Sequence, residues 1–310
     1  MVPGNEAGAY GSLDRAEYPS ISVVVPSFNQ GQYLEEAIQS IIGQQYPKLE
    51  LLVIDGGSTD NSVKILEQYA SHLSYWHSRE DRGQADAINQ GINMSSGDIV
   101  CWLNSDDMYL PGTLLDVGRR FAGRTDICRL VYGATVELEH GAKTLYCQPV
   151  VSEAFDSFKL TYWDFIIQPS TFWTRKLWLE TKDINVRYNF VLDWEWFIRA
   201  SRVTDFEYVP RFYSIYRLHP LHKTHSGETA RREEVVDVVR KYSSDYWIRL
   251  YEEIHRSYDG ISGSDLSLKA NRAPRRRSNL SWLSPQIRSM VEDPEHFWMV
   301  VSMLGIVVPG

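Results

Sequence analysis

Four apolar runs, each followed by a polar turn and then a helical stretch, constrain this chain more than any other feature. The runs are Ile21–Pro26 (ISVVVP), Leu49–Ile54 (LELLVI), a weaker Leu73–Ser78, and Ile99–Leu103 (IVCWL). Continuous β-branched runs of this length suit strands buried on both faces. Between them, Tyr33–Gln45 carries Leu34, Ala37, Ile38, Ile41 and Ile42 at helical spacing. A second helix is expected to run to Tyr69 with Asp60 as its cap, and a third over Gly83–Ser95. Pro111 is expected to open a fourth, Gly112–Phe121. This strand–helix alternation predicts an α/β fold with a mostly parallel sheet and right-handed crossovers. Ligands of such sheets bind beyond the carboxyl ends of the strands. The turns Ser27–Gly31, Asp55–Asp60 and Asn104–Asp107 should therefore converge on one crevice.

After Phe121 the pattern changes. Leu130–Leu138 and Lys143–Gln148 read as a hairpin, Ser170–Trp173 as a short strand, Leu192–Val203 as a helix and Phe206–Arg217 as extended chain. Glu228–Tyr258 reads as a long charged helix or a pair of them. The expected organisation is a tail over 1–18, a catalytic domain over 19–225 with halves 19–122 and 123–225, and a helical extension over 226–261. A basic linker over 262–279 and an amphipathic or apolar segment over 280–310 complete it.

Several function classes fall away. With 32 basic and 40 acidic residues the net charge is −8, which argues against nucleic-acid binding. Three scattered cysteines exclude a disulfide scaffold. Residues 1–18 lack the features of a signal peptide, and no apolar run reaches 18 residues, so a cytoplasmic protein is expected. The first strand is followed by PSFNQG rather than GxGxxG, and there is no P-loop, HExxH or CxxC. What remains is Asp106-Asp107 at a strand end. Such carboxylates can hold Mg²⁺ or Mn²⁺ against a diphosphate; the plainer reading is a pair of turn acids before Pro111.

Seven segments together resemble the family 2 glycosyltransferases, inverting enzymes of the GT-A fold. They are ISVVVPSFNQGQYLEEAIQSIIGQQYP, ELLVIDGGSTDNS, EDRGQADAINQGI, GDIVCWLNSDDMYLPG, QPSTFWTR, VLDWEWFIRA and YRLHPLHKT, spread over about Ile21–Thr224. The nearest resemblance is to bacterial members that build polysaccharides or lipopolysaccharides. It implies a nucleotide-sugar donor, with a uridine diphosphate the first expectation, and a saccharide or lipid-linked acceptor. By the same resemblance Pro26, Ser27, Phe28, Asp55, Arg82, Asp86 and Asn104 bind donor. Gly56 stands where many relatives carry a second acid, and Asn104 replaces the first acid of a DxD motif. Asp106, Asp107 and His219 are implied ligands of Mn²⁺ or Mg²⁺, with His222 and His225 as substitutes. Asp193 is the implied base that takes the acceptor's proton, with a helix cap as its plainer role; Glu195 is the second candidate. Gln168, Trp194 and Glu195 are assigned to the acceptor. Two other readings stay open: a nucleotidyltransferase, and a non-catalytic sugar-nucleotide-binding protein.

The C-terminus lies outside the resemblance. Arg272, Arg275, Arg276 and Arg277 precede an apolar Phe297–Pro309. Basic residues beside such a segment suit peripheral contact with an anionic membrane, here at its inner face. Equally, the segment can pack on the protein or pair two chains.

Overall fold

The computed structural model describes residues 17–139, 147–150, 152–219, 228–259 and 285–305. These divide into two compact units. The first holds 17–155, 166–187 and 199–219; the second holds 156–165, 188–198 and the helices after 228.

The first unit is built on one mixed sheet. Its strands are β1 (Ile21–Ser27), β2 (Leu49–Asp55), β3 (Tyr75–Ser78), β4 (Ile99–Trp102), β5 (Met108–Tyr109), β6 (Leu130–Glu139), β7 (Cys147–Val150), β8 (Thr171–Thr174) and β9 (Phe206–Leu218). The order is β3-β2-β1-β4-β8-β6-β9-β5, with β7 paired to β6. Pairs among β1 to β4 are parallel, as the strand–helix alternation predicts. Beyond β4 the pairing turns antiparallel at β8, β5 and β7, with β6 and β9 parallel to each other. Because β4 pairs with β8, one sheet runs through both halves of the 19–225 region. Of the expected hairpin, β6 pairs antiparallel with β7 over Cys147–Val150, two residues beyond the expected Gln148; residues 140–146 lie outside the described residues.

Helices α1 (Leu34–Ile42), α2 (Ser62–Tyr69), α3 (Gln84–Met94) and α4 (Thr113–Phe121) follow β1, β2, β3 and β5, and α5 (Arg175–Thr181) follows β8. Two starts differ from expectation. Asn61, not Asp60, precedes α2, although the Asp60 carboxylate accepts the Ser62 N–H at 2.9 Å. Pro111 lies outside α4, because Gly112 turns the chain through φ +84 at the cap. Every residue of β1 is buried, so the helices must come close. Gly91 permits this for α3: a Cβ there would stand 2.3 Å from Val24 Cγ1.

Helix α6 (Leu192–Ser201) begins in the second unit. It ends two residues before the expected Val203. The long charged stretch is a pair, α7 (Glu228–Tyr242) and α8 (Asp245–Asp259), followed by α9 (Pro285–Met290) and α10 (Pro294–Met303). Segments 156–165 and 188–198 group with these helices, which differs from a boundary at 225/226. The reason is packing: Trp194 Nε1 donates to the Leu160 carbonyl at 2.7 Å, Tyr251 OH of α8 to the Tyr162 carbonyl at 2.6 Å, and Lys241 Nζ of α7 to Glu195 at 3.2 Å. In and just after α10, Phe297, Val300, Val301, Met303 and Leu304 are buried, and Arg231 of α7 donates to the Met303 carbonyl at 2.8 Å. The described part of the apolar segment thus packs within its own unit. Residues 262–279 and 306–310 lie outside the described residues. Among the described residues no helix is long and apolar enough to cross a membrane.

Gly91→Ala should lower stability by about 1–3 kcal/mol, since overpacking displaces α3 from β1; urea unfolding measures it. Glu50 gives a pH-dependent counterpart. Burial raises its pKa, but bonds from Ser22 Oγ and the Ser96 and Gly97 main chain outweigh that and hold it below the ordinary value. Its stabilisation is therefore present above the unfolded-state pKa and lost as pH falls through the folded one. Glu50→Gln should cost about 1 kcal/mol at neutral pH. The difference should vanish in acid, as read from unfolding curves across pH.

Candidate active site

The turns after β1 and β2 are zipped together. Asn29, at φ 52, donates its N–H to Ser58 Oγ at 2.7 Å and accepts the Thr59 N–H at 2.9 Å. Gly31 N–H reaches Asp60 at 2.8 Å, and Gly56 N–H reaches the Ser27 carbonyl at 2.9 Å. Asp55 is fully buried at the centre. It accepts Ser58 N–H at 2.8 Å, Ser58 Oγ at 2.5 Å and Ser78 Oγ at 2.6 Å. Where a second acid might follow it, Gly56 leaves room for another carboxylate: a Cβ there would meet Asp81 Oδ2 at 3.0 Å. Burial, with Asp86 and Asp55 nearby, raises the Asp81 pKa. Pro26 and Ser27 end β1, Ser27 buried, and Phe28 next to them is 60% exposed. An open aromatic ring at a strand's carboxyl end is a stacking surface for a flat ligand.

Before α3, Arg82 pairs with Asp86 at 2.6 Å, and this bond lowers the Asp86 pKa. Gln84 donates to Asn104 Oδ1 at 2.8 Å, which ties the start of α3 to the loop after β4.

In that loop the two acids have different surroundings. Asp107 is 1% exposed; it accepts Arg217 N–H at 3.1 Å and Asn104 Nδ2 at 3.3 Å. Burial first, and the Asp106 charge second, push its pKa up. Asp106 stays more open and lies 3.0 Å from His219 Nε2. The His219 ring packs on Tyr33 with centroids 4.6 Å apart. Arg217, which the sequence reading did not single out, supports this group. Its Nε donates to the Asp106 carbonyl at 3.0 Å, its guanidinium also binds Glu36, and it lies over the Tyr33 ring at 4.8 Å. The YRLH segment was the signal available for it. His222 and His225 lie outside the described residues. Among the described residues no group of three His, Cys, Asp or Glu forms a ready metal cluster. Asp106 and His219 nevertheless fit an ion. Two cis ligands about 2.1 Å from one octahedral cation lie about 3.0 Å apart, and Mg²⁺-type sites use one or two protein ligands plus substrate phosphates.

Gln168 sits at 6% exposure and donates Nε2 to the Trp102 carbonyl at 2.9 Å, at the end of β4. A carbonyl can only accept, so this bond fixes which way the amide points. Its Oε1 has no hydrogen-bond partner among the described residues.

In the second unit, Trp194 and Glu195 differ from the acceptor roles assigned to them. Trp194 is fully buried. Glu195 is 1% exposed and accepts Lys241 Nζ at 3.2 Å and Tyr242 OH at 2.5 Å. Both are core groups, because α6 is buried on nearly every side, with its own Trp196, Phe197 and Ile198 buried as well. Asp193 is the half-buried exception in the first turn. Its Oδ1 accepts the Trp194 N–H at 2.9 Å, but as the second residue of α6 it lies inside the helix rather than at the expected cap position.

The sequence profile described as glycosyl transferase family 2 matches residues 22–181. The chain belongs to that family. A PGL/p-HBAD biosynthesis glycosyltransferase of Mycobacterium bovis is 30% identical over 186 residues, covering 59% of this chain and 70% of the relative. Among solved folds, S. aureus TarS 1-349 in complex with UDP-GlcNAc aligns with TM-score 0.59 at 16% identity, over 77% of this chain and 73% of that one. This chain spans 39% of the longer TarS chain at TM-score 0.52. The mannosyltransferase PcManGT from Pyrobaculum calidifontis, in complex with GDP-Man and Mn²⁺, aligns with TM-score 0.56 at 16% identity, over 94% of this chain and 88% of that one. The family 2 chain is a glycosyltransferase with a GT-A-like fold.

Asp107→Ala should cost about 1–3 kcal/mol, since it leaves the buried Arg217 N–H without its acceptor. Thermal unfolding reads this without any ligand.

Proposed function

We propose that this glycosyltransferase moves a sugar from a uridine-diphosphate donor to a hydroxyl of a saccharide or lipid-linked saccharide, in the cytoplasm and with inversion at the anomeric carbon. The observation that carries the donor side is the 3.0 Å approach of Asp106 to His219 at the carboxyl edge of the sheet. The relatives and fold neighbours named above support the donor class.

Phe28 stacks on the base, with Pro26 and Ser27 forming its edge. The loop organised by Asp55 holds the nucleoside, and Asn104 accepts a ribose hydroxyl. Arg82 and Asp86 close the donor's other side. Asp106 and His219 hold Mn²⁺ or Mg²⁺, and Asp107 keeps their loop in place through Arg217. A bound ion offsets the charge that develops on the leaving diphosphate.

Asp193 is the base of this reading. As the acceptor oxygen bonds to the anomeric carbon, the bond from that carbon to the diphosphate oxygen breaks. The acceptor's proton passes to the Asp193 carboxylate. One displacement of this kind inverts the centre.

Asp193→Asn keeps the shape and removes the proton acceptor. Turnover should fall by about 10²–10⁴-fold, while calorimetry shows donor affinity within about twofold of wild type. Loss of donor affinity in step with turnover, or undiminished transfer, would remove Asp193 from this role.

A further inference from the structure

We propose that Glu234 is a positioning residue for Asp193; this rests on the reading of Asp193 as the base. The chain entering α6 ends in Asn189-Phe190-Val191, and a valine side chain cannot cap a helix. The N–H groups of these residues turn to one carboxylate instead. Glu234, from α7, accepts Asn189 N–H at 2.9 and 3.0 Å, Phe190 N–H at 2.7 Å and Val191 N–H at 3.3 Å. One turn along α7, Asp237 accepts the Tyr188 hydroxyl at 2.7 Å. Four consecutive residues are thus held by two acids of one helix.

The consequence for Asp193 is geometric. It is the second residue of α6, two positions beyond the last N–H that Glu234 holds. A slip of one residue turns a helix by about 100°. Such a slip would replace Asp193 with Leu192 or Trp194, both buried side chains. By fixing the main chain at 189–191, Glu234 sets the register in which a carboxylate, rather than an apolar group, meets the acceptor. Anchoring by charge suits this task, because hydrogen bonds to an ionised acceptor are shorter and stronger than neutral ones.

A double-mutant cycle on the full chain separates positioning from simple stabilisation. Nucleotide release is measured with whichever of UDP-N-acetylglucosamine, UDP-glucose and GDP-mannose the wild type turns over. Glu234→Ala should lower kcat by about 10–100-fold, as expected for a reacting group misplaced by about 1 Å, with donor affinity within twofold of wild type. In the Asp193→Asn background the same substitution should cost less than twofold, since the group it positions is already disabled. An equal loss in both backgrounds, or an unchanged kcat in the single variant, overturns the proposal. If Glu234→Ala does not fold, Glu234→Met enters the same cycle; it keeps the volume and has no oxygen to accept the main-chain N–H groups. Full turnover by Asp193→Asn would bring down the base reading, and this role with it. An inactive Asp193→Asn with an additive Glu234 effect sinks the positioning role alone.

Discussion

The site depends on how the sheet returns on itself. In the strand order, β5 stands four places from β4, yet it begins six residues after β4 ends. Four strand spacings in a flat sheet would need about 19 Å. The connecting chain contains a turn closed by the Asp107 N–H on the Asn104 carbonyl at 3.0 Å, so it reaches less than about 18 Å. The sheet must therefore curl, and β9, paired with β5, comes back to the carboxyl end of β4. That return brings His219 to Asp106 across 113 positions of sequence. It also brings the Arg217 main chain to Asp107, so the constraint that shapes the sheet also assembles the site.

Acidic residues in the molecule divide by what they touch. Asp55, Asp107, Glu195 and Glu234 each accept several hydrogen bonds, and the first three are buried. Burying a carboxylate costs several kcal/mol unless such bonds compensate, so these acids act as fixed struts between elements. Asp106 and Asp193 are more open, and each stands beside a strut: Asp106 next to Asp107, and Asp193 close to the segment held by Glu234.

Much of this was legible in the chain. Strands buried on both faces announce themselves as β-branched runs, and the polar turns that follow them mark the carboxyl edge of the sheet before any pairing is known. The roles within a turn were less legible. Asp106 and Asp107 are chemically alike in sequence; only β9, more than a hundred residues on, distinguishes the open one from the buried one. Trp194 and Glu195 misled for a related reason. Helix α6 is apolar on nearly every side, so its periodicity gives no face to assign to solvent. Glu234 lies in a charged, weakly amphipathic helix, where one more glutamate carries no signal until the N–H groups it binds are seen.

Donor activation in this enzyme depends on whether Asp106 and His219 act as a pair on one divalent ion. Titration calorimetry of Mn²⁺ with UDP present measures this directly. One ion per chain is expected, with affinity falling at least tenfold in Asp106→Ala and in His219→Ala alike, while both variants keep the wild-type unfolding temperature within a few degrees. Unchanged Mn²⁺ affinity in either variant would contradict the pairing and the assembly of the site by the returning sheet.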